Sequence, residues 1–285
     1  MTDIALDRIA LTEAPSPGRP LDVRHLRVGY GSSDVLSSVD FHLLRGSVTA
    51  LVGPNGSGKS TLLKACTRLL KPRGGSVLLD GAEIHGLRTR EVAKRLAILP
   101  QSPVAPQSLT VRDLVEQGRY PHAGPLRMLR RQDHEAIDRA IAFVQLNDFV
   151  DRDVDSLSGG ERQRAWIAMA LAQETPMLAL DEPTTFLDIG HQFEVLELVQ
   201  MLNRKHGVTV VMVVHELNHA SLFADRVVVL RRGAVVAQGT PQHVFTPPLL
   251  RSTFGIEADV LSDGAGRPHI VPRRAVARDV AAAAM

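Results

Sequence analysis

Runs of four to seven mostly apolar residues recur along the chain and alternate with longer amphipathic stretches. Runs of this length predict strands that are buried on both faces, at 47–52, 96–99, 177–180 and 208–214. The first run leads into a glycine-rich loop and then into 59–70, whose apolar residues have helical spacing. Strands that alternate with helices in this way predict an α/β fold with a parallel sheet covered on both sides.

Two stretches of the chain have a different pattern. Residues 110–150 read as mostly helical, with one break at 120–125, which predicts an inserted helical block. Residues 21–52 predict several short strands. These strands are expected to be interrupted by three glycines, namely Gly29, Gly31 and Gly46.

Composition excludes several classes of protein. Among 285 residues, 33 Lys and Arg against 31 Asp and Glu give a net charge of +2, and only 4% are aromatic, which argues against a dedicated nucleic-acid binder. The single cysteine, Cys66, excludes an internal disulfide and a cysteine-based zinc site, and favours a reducing, cytoplasmic setting. The longest apolar runs, 165–172 and 208–214, are too short to cross a bilayer. Neither do we expect a secretion signal at the N-terminus.

The glycine-rich loop fits the phosphate-binding pattern of two glycines followed by lysine and serine. Glycines let backbone N–H groups turn toward phosphate oxygens, and the following helix start adds its positive dipole end. An ordinary strand–turn–helix corner is the alternative, but the placement after a strand and before a helix favours nucleotide binding. The candidate nucleotide-binding residues are Gly53, Pro54, Asn55, Gly56, Ser57, Gly58, Lys59, Ser60 and Thr61.

Two carboxylates stand at the end of the apolar run 177–180. A buried charge there needs compensation, and a cation can supply it: we predict that Asp181 and Ser60 hold Mg²⁺. Glu182, one residue further, is the candidate general base for an attacking water. The alternative is an acidic surface turn that Pro183 favours. The phosphate-binding loop earlier in the chain argues against this alternative.

Two more predicted strands lead to polar residues, Gln101 and His215. Because ligands of open parallel sheets bind beyond the carboxyl ends of the strands, four strand ends are expected to meet in one crevice. There Gln101 would sense Mg²⁺ or water, and His215 would contact the terminal phosphate. Taken singly, each is more often a hydrogen-bonded loop residue.

A second predicted anion site lies at the start of another helix, in the sequence Leu-Ser-Gly-Gly-Glu-Arg-Gln-Arg of 157–164. Ser158, Gly159 and Gly160 expose backbone N–H groups there. Two explanations are open: the segment is a mere helix cap, or it serves a nucleotide that is held by another copy of the chain.

The 157–163 segment resembles the signature of ABC-type ATPases, and so does its spacing of 24 residues to the acidic strand. The resemblance covers 21–260 and implies a P-loop NTPase (RecA-like) core with an antiparallel β subdomain and a helical subdomain at about 102–156. Residues 1–20 are then a flexible leader and 261–285 a C-terminal tail. The resemblance also implies ATP and Mg²⁺ as cofactors, and a head-to-tail homodimer in which 158–160 of one copy close over ATP on the other.

Further residues are assigned by their match to the family's motifs. Tyr30 resembles the aromatic residue that stacks on adenine. Gln101 resembles the glutamine of the family's glutamine loop, a residue that also senses the metal. Asp188 matches the loop after the acidic strand, and His215 the switch histidine. Many members have a small residue where this chain has Phe186, and we assign no change of activity to that difference.

Segments at 118–122, 162–169 and 184–188 resemble the ferric-siderophore importer ATPases within that family. The resemblance implies an ATPase that powers iron-complex import through separate permease chains and indirectly serves a substrate-binding protein. It also implies a peripheral position on the cytoplasmic side of the inner (cell) membrane. Nucleic acid is not an expected partner. Alternatives are the ATPase of a vitamin B12 or haem importer, or a soluble ABC ATPase without a role in transport.

Overall fold

A computed structural model of the protein describes residues 18–101, 103, 108–123 and 128–276. The strands in these residues are β1 (Leu21–Tyr30), β2 (Ser33–His42), β3 (Val48–Val52), β4 (Gly74–Leu79), β5 (Ala82–Glu83), β6 (Leu96–Leu99), β7 (Met177–Asp181), β8 (Thr209–Val213), β9 (Arg226–Arg231), β10 (Ala234–Gly239), β11 (Ile256–Ser262) and β12 (Pro268–Ala275).

Helices connect these strands. They are α1 (Lys59–Cys66), α2 (Thr89–Ala93), α3 (Val111–Gln117), α4 (Arg131–Phe143), α5 (Gly159–Ala172), α6 (Ile189–His206), α7 (Leu217–Phe223), α8 (Pro241–Val244) and α9 (Pro247–Leu249), with 3₁₀ turns at Asn147–Phe149 and Val154–Ser156 and a π-helical turn at Leu250–Phe254.

The central sheet has six strands in the order β10-β9-β3-β8-β7-β6, all parallel except β10. Every residue of β3, β7 and β8 is buried, because successive side chains enter different cores. In β7, Leu178 and Leu180 pack toward the cluster that contains α5 and α6, whereas Met177 and Ala179 pack toward α1 and the second sheet. The predicted α/β fold with a buried parallel sheet is confirmed, and its order puts the carboxyl ends of β3, β8, β7 and β6 side by side.

The second sheet is antiparallel, with the order β2-β1-β4-β5. The sequence predicted an interruption at Gly29, but β1 runs through this residue with a register shift beside it. A Cβ at Gly29 would lie 2.0 Å from the Ser33 carbonyl oxygen, so the position needs glycine for a close strand approach rather than for a break. The antiparallel β subdomain of the predicted fold class is therefore present.

Helix α1 is shorter than the predicted 59–70. It ends at Cys66, because Thr67 is its C-cap and Arg68 has a left-handed φ of 66°. Leu69 is consequently 60% exposed and does not continue the buried face of the helix. Apolar spacing alone did not reveal this end, since a helix stops where the backbone leaves the helical region.

Helices α3 and α4 lie within the predicted helical block and pack against α5 in one apolar cluster. The block is closed at its base by an isolated bridge between Thr110 and Asp153. Inside it Arg119 is 4% exposed and pairs with Asp133 at 2.9 Å, while it also donates to the Ala172 carbonyl. Parts of the block, at 102, 104–107 and 124–127, lie outside the described residues.

The C-terminal boundary predicted at 260/261 needs correction. It falls inside β11, which pairs in antiparallel register with β12, so the ordered fold continues past the predicted end. Two hydrogen bonds tie Asn218 of α7 to the backbone of Ile270, and Ile270 is buried in the main core. Sequence reasoning missed this hairpin because its strands are only partly buried and have several exposed charges. Residues 1–17 of the predicted leader 1–20 and the last residues, 277–285, lie outside the described residues.

Candidate nucleotide site

The loop after β3 has the backbone that a phosphate cradle requires. Gly53, Gly56 and Gly58 all have positive φ, at 152°, 75° and 101°. A Cβ at Gly53 would lie 2.1 Å from the Leu230 carbonyl oxygen, and one at Gly58 would lie 2.6 Å from Leu36 Cδ2. Two of these positions therefore combine left-handed backbone with tight neighbours, and only glycine satisfies both demands.

Lys59 opens α1 and turns back over this loop. Its Nζ donates to the carbonyls of Gly53 at 2.9 Å and Pro54 at 3.2 Å, and the residue is 5% exposed. Burial lowers the pKa of Lys59, while the nearby Glu182 and Asp181 oppose that shift. An ammonium group held by neutral carbonyls is well suited to exchange those partners for phosphate oxygens.

A short hydrogen bond joins the loop to the neighbouring acidic strand. Ser60 Oγ donates to Asp181 Oδ1 at 2.8 Å, and Asp181 is 4% exposed. Burial, reinforced by the charge of Glu182, raises the pKa of Asp181, although the bond from Ser60 opposes this. A buried carboxylate beside a hydroxyl is an oxygen donor set that fits Mg²⁺, and a cation would remove the charge strain at Asp181.

Glu182 is the meeting point of three polar side chains. Its Oε2 accepts hydrogen bonds from Gln101 Nε2 at 2.6 Å and from Thr185 Oγ1 at 3.1 Å, and its Oε1 lies 2.6 Å from His215 Nε2. The Glu182 side chain is 10% exposed and its backbone has a φ of 54°, which is uncommon outside glycine. Strained backbone of this kind is concentrated at functional sites.

The start of α5 forms a capping box. Ser158 Oγ accepts from the Glu161 N–H at 3.3 Å, and the Glu161 carboxylate accepts from the Ser158 N–H at 2.9 Å. These hydrogen bonds from Ser158 lower the pKa of Glu161. The amides of Gly159 and Gly160 occupy the first two helical positions, where the helix offers no acceptor, and Ser158 and Gly159 are exposed. Two residues of the predicted second anion site are therefore exposed, while its third residue, Gly160, is buried.

His191 contacts both that helix start and the loop after the acidic strand. Its Nδ1 lies 2.8 Å from Asp188 Oδ1, and a Cβ at Gly160 would lie 2.3 Å from its ring. Asp188 also caps α6 by accepting from the His191 N–H, and these hydrogen bonds lower the pKa of Asp188. Sequence reasoning missed His191 because nothing in the local pattern relates it to Gly160, 31 residues earlier.

Tyr30 lies at the tip of the hairpin between β1 and β2 and is 50% exposed. Its strand neighbour β2 lies against the phosphate loop through Val35 and Leu36, which border Gly58. The position is compatible with stacking on a base bound beyond the loop.

The predicted site residues thus fall into two groups. One converges at the carboxyl edge of the sheet and contains the 53–61 loop, Gln101, Asp181, Glu182 and His215. The other lies apart, at the starts of α5 and α6 and at the β1–β2 turn. Sequence reasoning did not assign Thr185 to the first group, although a polar residue three positions after Glu182 was a usable signal.

Comparison with known proteins identifies the relatives of this chain. The family model described as ABC transporter matches residues 36–185. The chain is 49% identical to the siderophore transport system ATP-binding protein YusV of Bacillus subtilis, over 87% of this chain and 90% of that protein. It is 44% identical to the ferric enterobactin transport ATP-binding protein FepC of Escherichia coli, over 87% and 92%. A cobalamin import ATP-binding protein of Halobacterium salinarum is 41% identical, over 86% and 61%.

Solved structures have the same fold. A metal-chelate type ABC transporter in an inward-facing conformation superposes with a TM-score of 0.78 at 27% identity, covering 90% of this chain and 98% of that chain. A dimeric ABC cassette bound to ADP and Pi gives 0.68 at 28% identity, covering 77% and 98%. With this fold and these relatives, the chain belongs to the ABC transporter family as one of its ATP-binding, ATP-hydrolysing subunits.

Proposed function

We propose that this chain powers the import of a ferric siderophore or a related iron complex through a separate membrane permease. The observation that carries the substrate class is its 49% identity to a siderophore transport ATP-binding protein over 87% of the chain. The chain's part in the process is ATP turnover, and the geometry at the carboxyl edge of the sheet supports that part. In the described residues no helix is long and apolar enough to span a bilayer.

In this proposal each ATP is shared by two copies of the chain. The 53–61 loop of one copy holds the phosphates, and Ser158, Gly159 and Gly160 of the other close over them. The exposed residues Ser158 and Gly159 at the start of α5 support this arrangement, because the free N–H groups of a helix start attract anions. Asp188 belongs to the same outer surface, and Tyr30 would stack on the adenine.

Hydrolysis requires a base, an oriented water and charge neutralisation. Glu182 takes a proton from the attacking water, while Gln101 and His215, each 2.6 Å from a Glu182 oxygen, align water and terminal phosphate. Lys59 contacts the terminal phosphates. Mg²⁺ would be held by Ser60 and Asp181, with Gln101 as a further contact, and would neutralise phosphate charge when bound.

Closure of the two copies would move the helical block at about 102–156 and the permease that docks on it. ATP-driven closure is then the working step, and hydrolysis removes the bridging contacts and resets the pair. The chain would lie peripherally on the cytoplasmic face of the inner membrane. A substrate-binding protein would be served indirectly, through the permease.

Import of cobalamin is a second candidate, favoured by the 41% identity to a cobalamin import ATP-binding protein. Haem import, or a soluble ABC ATPase without a transport role, are further alternatives from the sequence. They differ in what stimulates hydrolysis, because a coupled ATPase turns over faster when its own permease is loaded.

The test is ATPase activity of the full-length chain copurified with its membrane partners in proteoliposomes. We expect ferric siderophore with its binding protein to raise the rate several-fold, whereas cobalamin, haem and the iron-free siderophore leave it unchanged. The Glu182→Gln complex is the control for contaminating ATPases. Stimulation by cobalamin or haem alone would reassign the substrate, and isolation without any membrane partner would favour the soluble alternative.

A further inference from the structure

A cavity of about 470 Å³ lies at the amino ends of β7 and β8, opposite the carboxyl edge that holds the nucleotide site. Its volume falls within the roughly 300–1,000 Å³ that is usual for small-molecule sites. The apolar part of its wall consists of Ala136, Ala140, Phe143, Leu178, Leu202 and Val208. None of these residues belongs to the nucleotide site, so the cavity is a separate feature of the molecule.

The walls of this cavity come from parts of the chain that are far apart in sequence. Helix α4 of the helical block supplies one wall, and the end of α6 with the beginnings of β7 and β8 supplies the other. At the exposed rim the rings of Phe143 and His206 meet edge to face, with their centroids 5.6 Å apart. Ala136 and Ala140 are buried on α4, but each has only a methyl group to fill the space. A molecule in the cavity therefore contacts the helical block and the central sheet together.

Basic side chains predominate at the rim. Arg139 is exposed and donates from Nη2 to Glu174 Oε1 at 3.0 Å, which leaves its other guanidinium N–H groups for a ligand. Burial opposes ionisation of Glu174, but hydrogen bonds from Arg139 and from the buried Arg119 outweigh it and lower the pKa of Glu174. Its negative charge is therefore already paired. Residues 204–206, in the last turn of α6, are arginine, lysine and histidine, and all three are exposed. The rim is consequently complementary to an anion.

We infer that the cavity binds a small aromatic carboxylate, whose ring lies between α4 and α6 and whose carboxylate pairs with Arg139. Apolar walls with a few charged groups at one side are typical of small-molecule sites. The rings of Phe143 and His206 favour an aromatic body, because aromatic side chains offer edge-to-face contacts to a further ring. The planar guanidinium of Arg139 favours a carboxylate, which can accept two parallel hydrogen bonds from it.

An occupant of this cavity should hinder movement of the helical block. This consequence rests on the proposed function, in which closure of two copies moves that block, whereas binding itself does not depend on it. Because the occupant contacts α4 and α6 together, a rotation of one helix against the other has to break some of its contacts. The bound carboxylate should therefore slow ATP turnover from a position remote from the phosphate loop.

Binding is measured by isothermal titration calorimetry of the nucleotide-free, full-length chain, with 2-naphthoate as the probe. We expect saturable binding of one molecule per chain with a Kd below about 1 mM. The neutral 2-naphthamide has the same rings and should bind at least about 10-fold more weakly, because it lacks the charge that pairs with Arg139. Absence of saturable binding would overturn the site. Tighter binding of decanoate than of 2-naphthoate would overturn the assignment to an aromatic body.

Three variants locate the bound probe. Arg139→Ala should weaken binding of 2-naphthoate at least about 10-fold and remove its advantage over 2-naphthamide. Ala140→Leu fills the cavity and should abolish binding, whereas the matched Ala142→Leu, on the exposed side of the same helix, should bind like the wild type. Unchanged binding to Ala140→Leu would place the probe elsewhere and overturn the site. Should Ala140→Leu fail to fold, the result with Arg139→Ala decides, because that side chain is exposed.

The effect on turnover is measured with the permease complex in proteoliposomes at saturating ATP. Saturating 2-naphthoate should lower the ATPase rate at least about two-fold, and the Arg139→Ala complex should start from the same rate and need about 10-fold more probe. Relief of the inhibition by additional ATP would place the probe in the nucleotide site and overturn the inference. Binding without any change in rate would overturn the effect on turnover. A complex that 2-naphthoate slows but no iron complex stimulates would contradict the proposed substrate and support this inference.

Discussion

The Ser60 hydroxyl donates a 2.8 Å hydrogen bond to Oδ1 of Asp181, which joins the first turn of α1 to the end of β7 across 121 positions of sequence. This contact is where the phosphate loop and the acidic strand become one site. It gives the buried Asp181 carboxylate one neutral donor, and although the charges of Lys64 and Lys59 also favour the ionised form, burial and the charge of Glu182 still raise the pKa of Asp181. The site is therefore built for a ligand, at some expense to stability.

Replacement of Asp181 by asparagine should raise stability and abolish turnover. Because burial raises the pKa of Asp181, the ionised form destabilises the folded state, and the neutral amide should add about 1 kcal/mol at neutral pH. Because the pKa of Asp181 is raised, the stability gained by the asparagine variant is largest above that pKa. The gain disappears in acid, where the wild-type carboxyl is protonated. Thermal unfolding of the nucleotide-free protein across pH measures this, and a stability loss at neutral pH would contradict it. ATPase activity should fall at least about 100-fold.

Glu182→Gln should retain ATP binding and lose hydrolysis. The substituted amide keeps the size of the side chain but accepts no proton from water, so we expect a fall of about 100- to 10,000-fold in kcat. Closed dimers should accumulate with ATP, which size-exclusion chromatography with light scattering detects. Thr185→Val is a useful companion, because it removes one hydrogen bond to Glu182 and leaves the carboxylate in place. Unchanged hydrolysis in Glu182→Gln would eliminate this residue as the base.

Charge at the start of α5 should decide whether two copies close over ATP. Ser158→Asp and Ser158→Asn both keep a good helix cap, but only aspartate adds a negative charge beside the proposed triphosphate position. We expect Ser158→Asp to bind ATP normally as a monomer yet fail to dimerise and to lose most activity. Ser158→Asn should keep substantially more of both. Equal behaviour of the two variants would mean that no phosphate approaches this helix.

Arg119 should matter for stability rather than for chemistry. The carboxylate of Asp133 is buried beside Arg119. Burial opposes ionisation of this carboxyl, but hydrogen bonds from Arg130 and Arg119 outweigh it and lower the pKa of Asp133. Arg119→Ala would leave this charge unpaired, which should cost about 3 kcal/mol in the free energy of unfolding. Because the pKa is lowered, the pair's contribution is present at neutral pH and is lost as the pH falls through that value.

A matched control exists at Arg139, which pairs with the same Glu174 at 3.0 Å as Arg119 does at 2.8 Å, but is 62% exposed. Arg139→Ala should cost less than about 1 kcal/mol. Urea unfolding of both variants measures the difference. Similar losses in the two would show that burial of Arg119 does not set its contribution.

Local sequence patterns were enough to predict the fold class and most residues of the candidate site. Its apolar runs ended at Gly53, Gln101, Asp181 and His215, and in a parallel sheet such ends share an edge. Apolar runs and helical spacing are local patterns, so they can be interpreted without knowing which strands are neighbours in the sheet. The motif at 157–164 likewise needed only eight adjacent residues to reveal the family.

Contacts between residues far apart in the chain could not be predicted in this way and are known only from the folded structure. It set Ser60 against Asp181 and brought His191 over Gly160, and it paired β11 with β12 beyond the predicted end at 260. It also gave Phe186 a left-handed backbone conformation and an exposed side chain, which no local sequence pattern predicts. These features arise from strand order and from the packing of α5 against α6, and both are set by the whole core rather than by any segment.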